Sequence, residues 1–450
     1  MYLRLISLLG LIVFFLIAFL LSENRKEVKW NIIIWGIGLQ LFFAIFLIRA
    51  DLLVFIPNAI IRNISGLFGI TEPILISPKI GIYLFEWIKK GFDLITQASS
   101  AGAQFLFGNL TELFILDHAT IQNAEGQLTT AEPFVVSAVV AFKVLPVIIF
   151  VSACSAILQH LGVIQKIVKG LAWLMQKSMK TSGAETFTTG LLVFLGIESM
   201  SAVRGYIEDM TRSELFTIMT AFLATIAASV MVAYANFGAE PGHLITASLM
   251  SAPAAIAFAK ILIPETERPR TIDVKSVDIS IESQNVFDAA AQGASLGLTM
   301  ALNVGALLLV FVGLIQLFDT ITIAITGKTL GSLLSYLFLP FAYLMGVRIE
   351  DTPIFSELLA IKSIFNEFLA YQRFQTLIAE QCVDKRTLTI AIYAICGFAN
   401  PGSLGIMIGG ISALAPHRRS EIAKMSIKAF IAGTLACFST ASIAGIISIE

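Results

Sequence analysis

Apolar runs long enough to cross a bilayer recur along almost the whole chain, and this pattern constrains the fold more than any single motif. A spanning helix needs about 20 mostly apolar residues. Tyr2–Leu21 and Trp30–Ile48 reach that length in succession, separated only by the polar turn Ser22–Lys29. Charged residues are 14% of the 450, against roughly 25% in soluble domains. The chain therefore reads as an all-α polytopic membrane protein. Tyr2–Leu21 is longer than a signal-peptide core, and Phe19-Leu-Leu-Ser22 has no small-x-small cleavage pattern, so it is expected to stay as the first span.

Composition removes several functions. A net charge of −1 supplies no basic face for nucleic acid. The four cysteines, Cys154, Cys382, Cys396 and Cys437, form no CxxC pair, and the four histidines form no HExxH. Neither a disulfide framework nor a metal-dependent active site is expected. No cofactor and no enzymatic activity are expected either.

Further apolar stretches are Val135–Val163, Ser182–Tyr206, Ser213–Tyr234, His243–Ile263, Val286–Phe318, Leu330–Gly346, Pro353–Tyr371, Thr387–Ala415 and Ile422–Ile447. Asp51–Glu132 is irregular, with amphipathic pieces such as Tyr83–Ile95, and reads as interfacial helices and loops. Gln165–Lys180 carries four lysines around Leu171-Ala-Trp-Leu-Met175, an interfacial pattern. Leu330–Gly346 is short and is also placed at the interface, and polar Ile263–Ser283 is a loop.

Lys and Arg collect on the cytoplasmic side. Basic loops fall at Arg25–Lys29, Lys166–Lys180, Arg268–Lys275 and His417–Lys424. All lie on one side only if Ser182–Tyr206 and Pro353–Tyr371 dip in and return. That leaves about eight transmembrane helices plus two re-entrant hairpins, with both termini outside the cytoplasm. The hairpins resemble copies. Leu171-Ala-Trp-Leu-Met175 matches Phe341-Ala-Tyr-Leu-Met345, and Glu198 and Glu367 follow Met175 and Met345 at nearly equal distance. Interrupted segments paired in two halves point to a binding site near the bilayer midplane, built from an inverted repeat. The expected organisation is scaffold helices in 1–163, a first repeat in 164–263, a loop and scaffold helix in 264–328, and a second repeat in 329–450.

A carboxylate at membrane depth is expensive and survives beside a partner or a wet cavity. Asn366-Glu367-Phe368 is therefore a candidate site. In Cys396-Gly-Phe-Ala-Asn-Pro-Gly-Ser403, Pro401 lacks an N–H and Gly402 adds backbone freedom, so the helix should open. Opened backbone at that depth lines a cavity or is buried in protein. Asn400 and Ser403 add polar side chains there. Glu198 follows Gly196 at the expected tip of the first hairpin. Thr225, alone in an apolar span, reads as bonded back to its own turn. Glu185, Arg204, Glu208 and Asp209 are placed at the interface, and Gly409-Gly410 at a close helix contact.

From end to end the chain resembles the concentrative nucleoside transporters. The resemblance is carried by Ser22-Glu-Asn-Arg-Lys26, Phe105-Leu-Phe-Gly108, Phe142-Lys-Val-Leu-Pro146, Met210-Thr-Arg-Ser-Glu-Leu215 and Pro264-Glu-Thr-Glu267. It is strongest at Asn366-Glu-Phe368, Cys396-Gly-Phe-Ala-Asn400 and Leu414-Ala-Pro-His-Arg-Arg-Ser420. It implies a homotrimer in the inner (plasma) membrane, with scaffold helices around a domain of two hairpins and two unwound helices. It implies that Glu367, with Asn366 beside it, and Asn400 and Ser403 hold the ribose, while Phe398 and Val230 pack against the base. The family's Gly-Gln-Thr-Glu is Gly196-Ile197-Glu198 here, which keeps the glutamate and loses the glutamine that helps to read the base. The family's sodium site implies Leu195, Thr225 and Ile226, but Leu192 stands where an asparagine is expected. The coupling ion, Na+ or H+, is left open. The implied activity is cation-coupled nucleoside import. A transport-inactive receptor on the same fold, or one of different specificity, is the alternative.

Overall fold

The structure, a computed structural model, describes residues 2–49, 79–111, 114–116, 120–122, 128–130, 134–136, 140–196, 200, 204–270 and 283–448. Its N-terminal part holds α1 (Tyr2–Leu20), α2 (Trp30–Ile48), α3 (Lys79–Phe107) and α4 (Leu145–His160). A single π turn, Val140–Val144, leads into α4. Between α3 and α4 lie two antiparallel pairs of three-residue strands, β1 (Phe114–Leu116) with β4 (Phe134–Val136) and β2 (Thr120–Gln122) with β3 (Leu128–Thr130). They are a small addition to the all-α expectation.

The first repeat comprises α5 (Val163–Met179), α6 (Gly183–Leu195), the short α7 (Arg204–Ile207), α8 (Arg212–Ala224), α9 (Ala228–Asn236) and α10 (Pro241–Leu262). After α11 (Val286–Thr326), the second repeat brings α12 (Leu330–Leu344), α13 (Thr352–Ile364), α14 (Glu367–Glu380), α15 (Lys385–Ile395), α16 (Pro401–Leu414) and α17 (Arg419–Ile447). Among the described residues, seven segments are long and apolar enough to cross a membrane. The broken pair α15–α16 makes the eighth, each half being too short to cross alone. The eight spans, the two hairpins α6–α7 and α13–α14, and the lateral helices α5 and α12 agree with the expected architecture.

Small residues set the packing. α10 is almost wholly buried, and its Ala257 lies against Gly36 of α2, where a Cβ would come 2.7 Å from the alanine methyl. Such contacts let helices associate where lipid gives no hydrophobic drive. α11 spans 41 residues, longer than the expected Val286–Phe318, because the apolar run continues through Ile321, Ile323 and Ile325. At 1.5 Å per residue it is about 60 Å long, twice the hydrocarbon thickness. It grips α4 through Gly293 and Gly297, where added Cβ atoms would fall 2.6 Å from Ala156 and 2.7 Å from the Ile149 backbone. Gly409, expected at a helix contact, meets no neighbour within 4 Å.

Two helices of the first repeat, α6 and α8, start with a capping box. Ser182 Oγ accepts from Glu185 N at 3.3 Å, and Glu185 Oε1 accepts from Ser182 N at 2.8 Å. Thr211 and Glu214 do the same for α8, at 3.1 and 2.8 Å. Glu185 is buried within the protein, and its other oxygen lies 2.8 Å from Lys260 Nζ of α10. Lys260 also reaches Glu265 at 3.1 Å and Ser213 at 3.1 Å. The basic segment after α16 has a second task. Arg418 donates to the carbonyls of Ile207 and Met210, at 2.9 and 2.6 Å, and fastens the end of the first hairpin.

Candidate functional site

Two asparagines start the two helices that carry the polar groups. α13 ends at Ile364, the chain turns at Phe365, and Asn366 caps α14 by accepting from Leu369 N at 2.9 Å. Glu367 is therefore the first residue of α14, at the positive end of its dipole. Asn400 caps α16 likewise, accepting from Ser403 N at 2.8 Å through Oδ1. Its amide nitrogen is left to donate to Glu367 Oε2, at 2.6 Å. The two caps thus join in one hydrogen bond across two elements, with Asn400 and Glu367 both buried.

The expected opening before Pro401 is present. α15 ends at Ile395 and α16 starts at Pro401. Between them Gly397 adopts φ +138°, and Asn400 N donates to Phe398 O at 2.8 Å in a tight turn. A second opening, implied by the resemblance, had no sign in the local residue pattern. The stretch read as one span at Ser213–Tyr234 is α8 and α9, parted by extended backbone at Thr225–Ala227. Thr225 Oγ1 does donate back to Ala221 O, at 2.8 Å. The two openings touch. A Cβ on Gly397 would lie 2.6 Å from Cys437 Sγ of α17 and 2.9 Å from Ala224 O, so this close crossing requires glycine. Cys437 Sγ lies between them, 3.1 Å from Cys396 O and 3.7 Å from Ala224 O.

Gly196, Val230, Asn366, Glu367, Phe398, Asn400 and Ser403 all line one cavity. The space between these walls is about 710 Å³ when the solvent at its open mouth is included. Gly196 ends α6 at φ +64°, a left-handed turn that suits glycine. Ile197 and Glu198 lie outside the described residues. Leu195, Thr225 and Ile226 are off the cavity wall; Thr225 and Ile226 are buried at the first opening.

Sequence reasoning missed one wall of the cavity. Met300, Val304, Leu308 and Phe311 of α11 face the polar cluster, and Phe222 of α8 sits 5.9 Å from the Phe398 ring. In the sequence these residues are indistinguishable from lipid-facing ones. Behind Glu367, the Tyr234 ring stacks on Tyr371 at 4.1 Å and meets Phe368 edge-on at 5.1 Å. The site therefore offers a carboxylate, a carboxamide and a hydroxyl on one side and apolar surface on the other. That suits a small uncharged molecule with a hydroxylated end and a flat or apolar end.

Three family models match successive parts of the chain. They describe the Na+ dependent nucleoside transporter N-terminus over residues 9–73, nucleoside recognition over 141–241, and the Na+ dependent nucleoside transporter C-terminus over 243–445. Solute carrier family 28 member 3 of Eptatretus stoutii is 36% identical over 99% of this chain and 61% of its own length. Sodium/nucleoside cotransporter 1 of Rattus norvegicus is 32% identical over 99% of this chain and 64% of its own. The chain thus spans about three fifths of these animal relatives. The uncharacterized transporter YutK of Bacillus subtilis is 36% identical over 98% of both chains. Among solved structures, CNTnw in an inward-facing substrate-bound state is similar with a TM-score of 0.82, at 33% identity over 98% of each chain.

Proposed function

The chain belongs to the concentrative nucleoside transporter family, and from that premise we propose that it is a symporter that imports a nucleoside with a cation. Its family and structural neighbours are transporters, not enzymes. The reading is carried by one observation, the 2.6 Å pairing of Asn400 with Glu367 inside an otherwise apolar cavity. A carboxylate held this way accepts hydrogen bonds from vicinal hydroxyls of a ribose, and Asn400 and Ser403 complete the sugar end. Phe398 and Val230 give the base a flat apolar surface, and Gly196 lines the same cavity from the end of α6.

The coupling ion, Na+ or H+, is cargo as much as the nucleoside is. For Na+, backbone oxygens at the opened stretch Thr225–Ile226 and at Leu195 are the candidate ligands. The repeats 164–263 and 329–450 would move together past a fixed scaffold of α1–α4 and α11, in a homotrimer with both termini outside the cytoplasm. The test is uptake of a labelled nucleoside panel into proteoliposomes under separate sodium and proton gradients. Accumulation above equilibrium under one gradient, lost in Glu367→Gln, is the expected result. Substrate binding without uptake or exchange would instead favour a receptor.

A further inference from the structure

Lys362 lies in the last turn of α13, three residues before the turn at Phe365, and is wholly buried. Its Nζ forms no hydrogen bond with any described residue. Another buried lysine, Lys260, has Glu185 at 2.8 Å and Glu265 and Ser213 at 3.1 Å each. The fold thus surrounds one buried ammonium with ligands and leaves the other bare. A bare ammonium at membrane depth is expensive and must be offset by charge nearby.

Lys362 stands five positions before Glu367, across the turn at Phe365, and both are buried. Its helix α13 packs against α14, which Glu367 starts, and against α15. Cys396 stands at the C-terminal end of α15, where helix carbonyls lose their partners and the dipole is negative. Lys362 is absent from the cavity wall, and Glu367 spends its hydrogen bond on Asn400 instead. The ammonium therefore acts on the site through its charge, without touching what the site holds.

The repeat sharpens this. Lys362 follows Met345 by seventeen positions, as Leu192 follows Met175. Both are buried in the descending helix of a hairpin, beside an opened helix of the same repeat. Carbonyl ends of broken membrane helices are places where cations sit. One half has an apolar side chain there, and the other has a cation attached to the chain.

We infer that Lys362 is a tethered cation that serves the second half of the site. Its charge balances Glu367 and the carbonyl end of α15, so the carboxylate remains an acceptor although buried, and this half needs no free cation. Lys362 is a positioning residue. Its effect on nucleoside binding rests on the function proposed above, whereas the charge balance does not.

A double-mutant cycle on the purified full chain in detergent tests the pairing without any substrate. Lys362→Gln leaves an unbalanced buried carboxylate and should lower the melting temperature by about 5 °C or more. Glu367→Gln leaves the ammonium unbalanced and should also lower it. In the double variant both charges are gone, and most of the Lys362→Gln loss should be recovered. Losses that add, or a double variant that cannot be purified where the singles can, overturn the inference. In a second measurement, uridine binding should weaken about tenfold or more in Lys362→Gln and stay within about threefold in Lys362→Arg, as expected for loss of one charge-assisted hydrogen bond. Unchanged binding in Lys362→Gln overturns the positioning role. If the unmodified protein binds no nucleoside but the stability cycle recovers, the transport reading fails and the charge pairing stands.

Discussion

At the scale of single residues, the site depends on two capping asparagines, one of which does two things. Asn400 caps α16 with its oxygen and holds Glu367 with its nitrogen. Asn400→Asp keeps the cap but sets one carboxylate against another, whereas Asn400→Ala loses both contacts. Nucleoside binding measured by calorimetry should fall about 10- to 100-fold in Asn400→Ala, in line with about 1.5–3 kcal/mol for a hydrogen bond to a charged group. It should fall further in Asn400→Asp. Gly397→Ala is expected to cost about 1–3 kcal/mol by overpacking, since its Cβ would lie 2.6 Å from Cys437 Sγ. A lowered melting temperature checks this. Glu367 was legible in the sequence because a carboxylate in so apolar a chain needs a reason. The burial of Glu185 was not legible, because its partner Lys260 is 75 positions away.

At the scale of elements, the two broken helices differ in what revealed them. The opening at 396–400 is written in Gly397, Pro401 and Gly402. That at Thr225–Ala227 has neither proline nor glycine, and its cause lies elsewhere in the chain. Gly397 and Cys437 come against Ala224 from outside the helix. No local pattern records such a contact. The same is true of the α11 wall, whose cavity-facing side chains are as apolar as its lipid-facing ones. The buried ion cluster joins α6, α8, α10 and the loop after it, so its loss should be felt across all of them. Lys260→Met leaves Glu185 and Glu265 unpaired and is expected to cost about 3–5 kcal/mol. Thermal unfolding of the purified variant measures this. Lys260→Met combined with Glu185→Gln should be milder than Lys260→Met alone.

At the scale of the whole molecule, the repeats and the long helix α11 divide the labour. α11 is joined to α4 by glycine contacts that leave no room for side chains, and it presents an apolar strip to the cavity. Gly297→Leu should push these helices apart and reduce the yield of folded protein in size-exclusion chromatography, while the equivalent change at Gly313, which meets no neighbour within 4 Å, should not. The apolar strip has a further consequence for speed. Every polar side chain that lines the cavity comes from the second repeat, and the α11 wall offers only dispersion. If the repeats travel along α11, no directional bond has to be broken on that side at any point of the journey. The passage resembles a bead drawn along an oiled rail, and its friction is set by side-chain shape rather than by hydrogen bonding. Roughening the rail with a single hydroxyl, at Val304 for example, would create a resting place and slow turnover while the affinity for nucleoside stays the same.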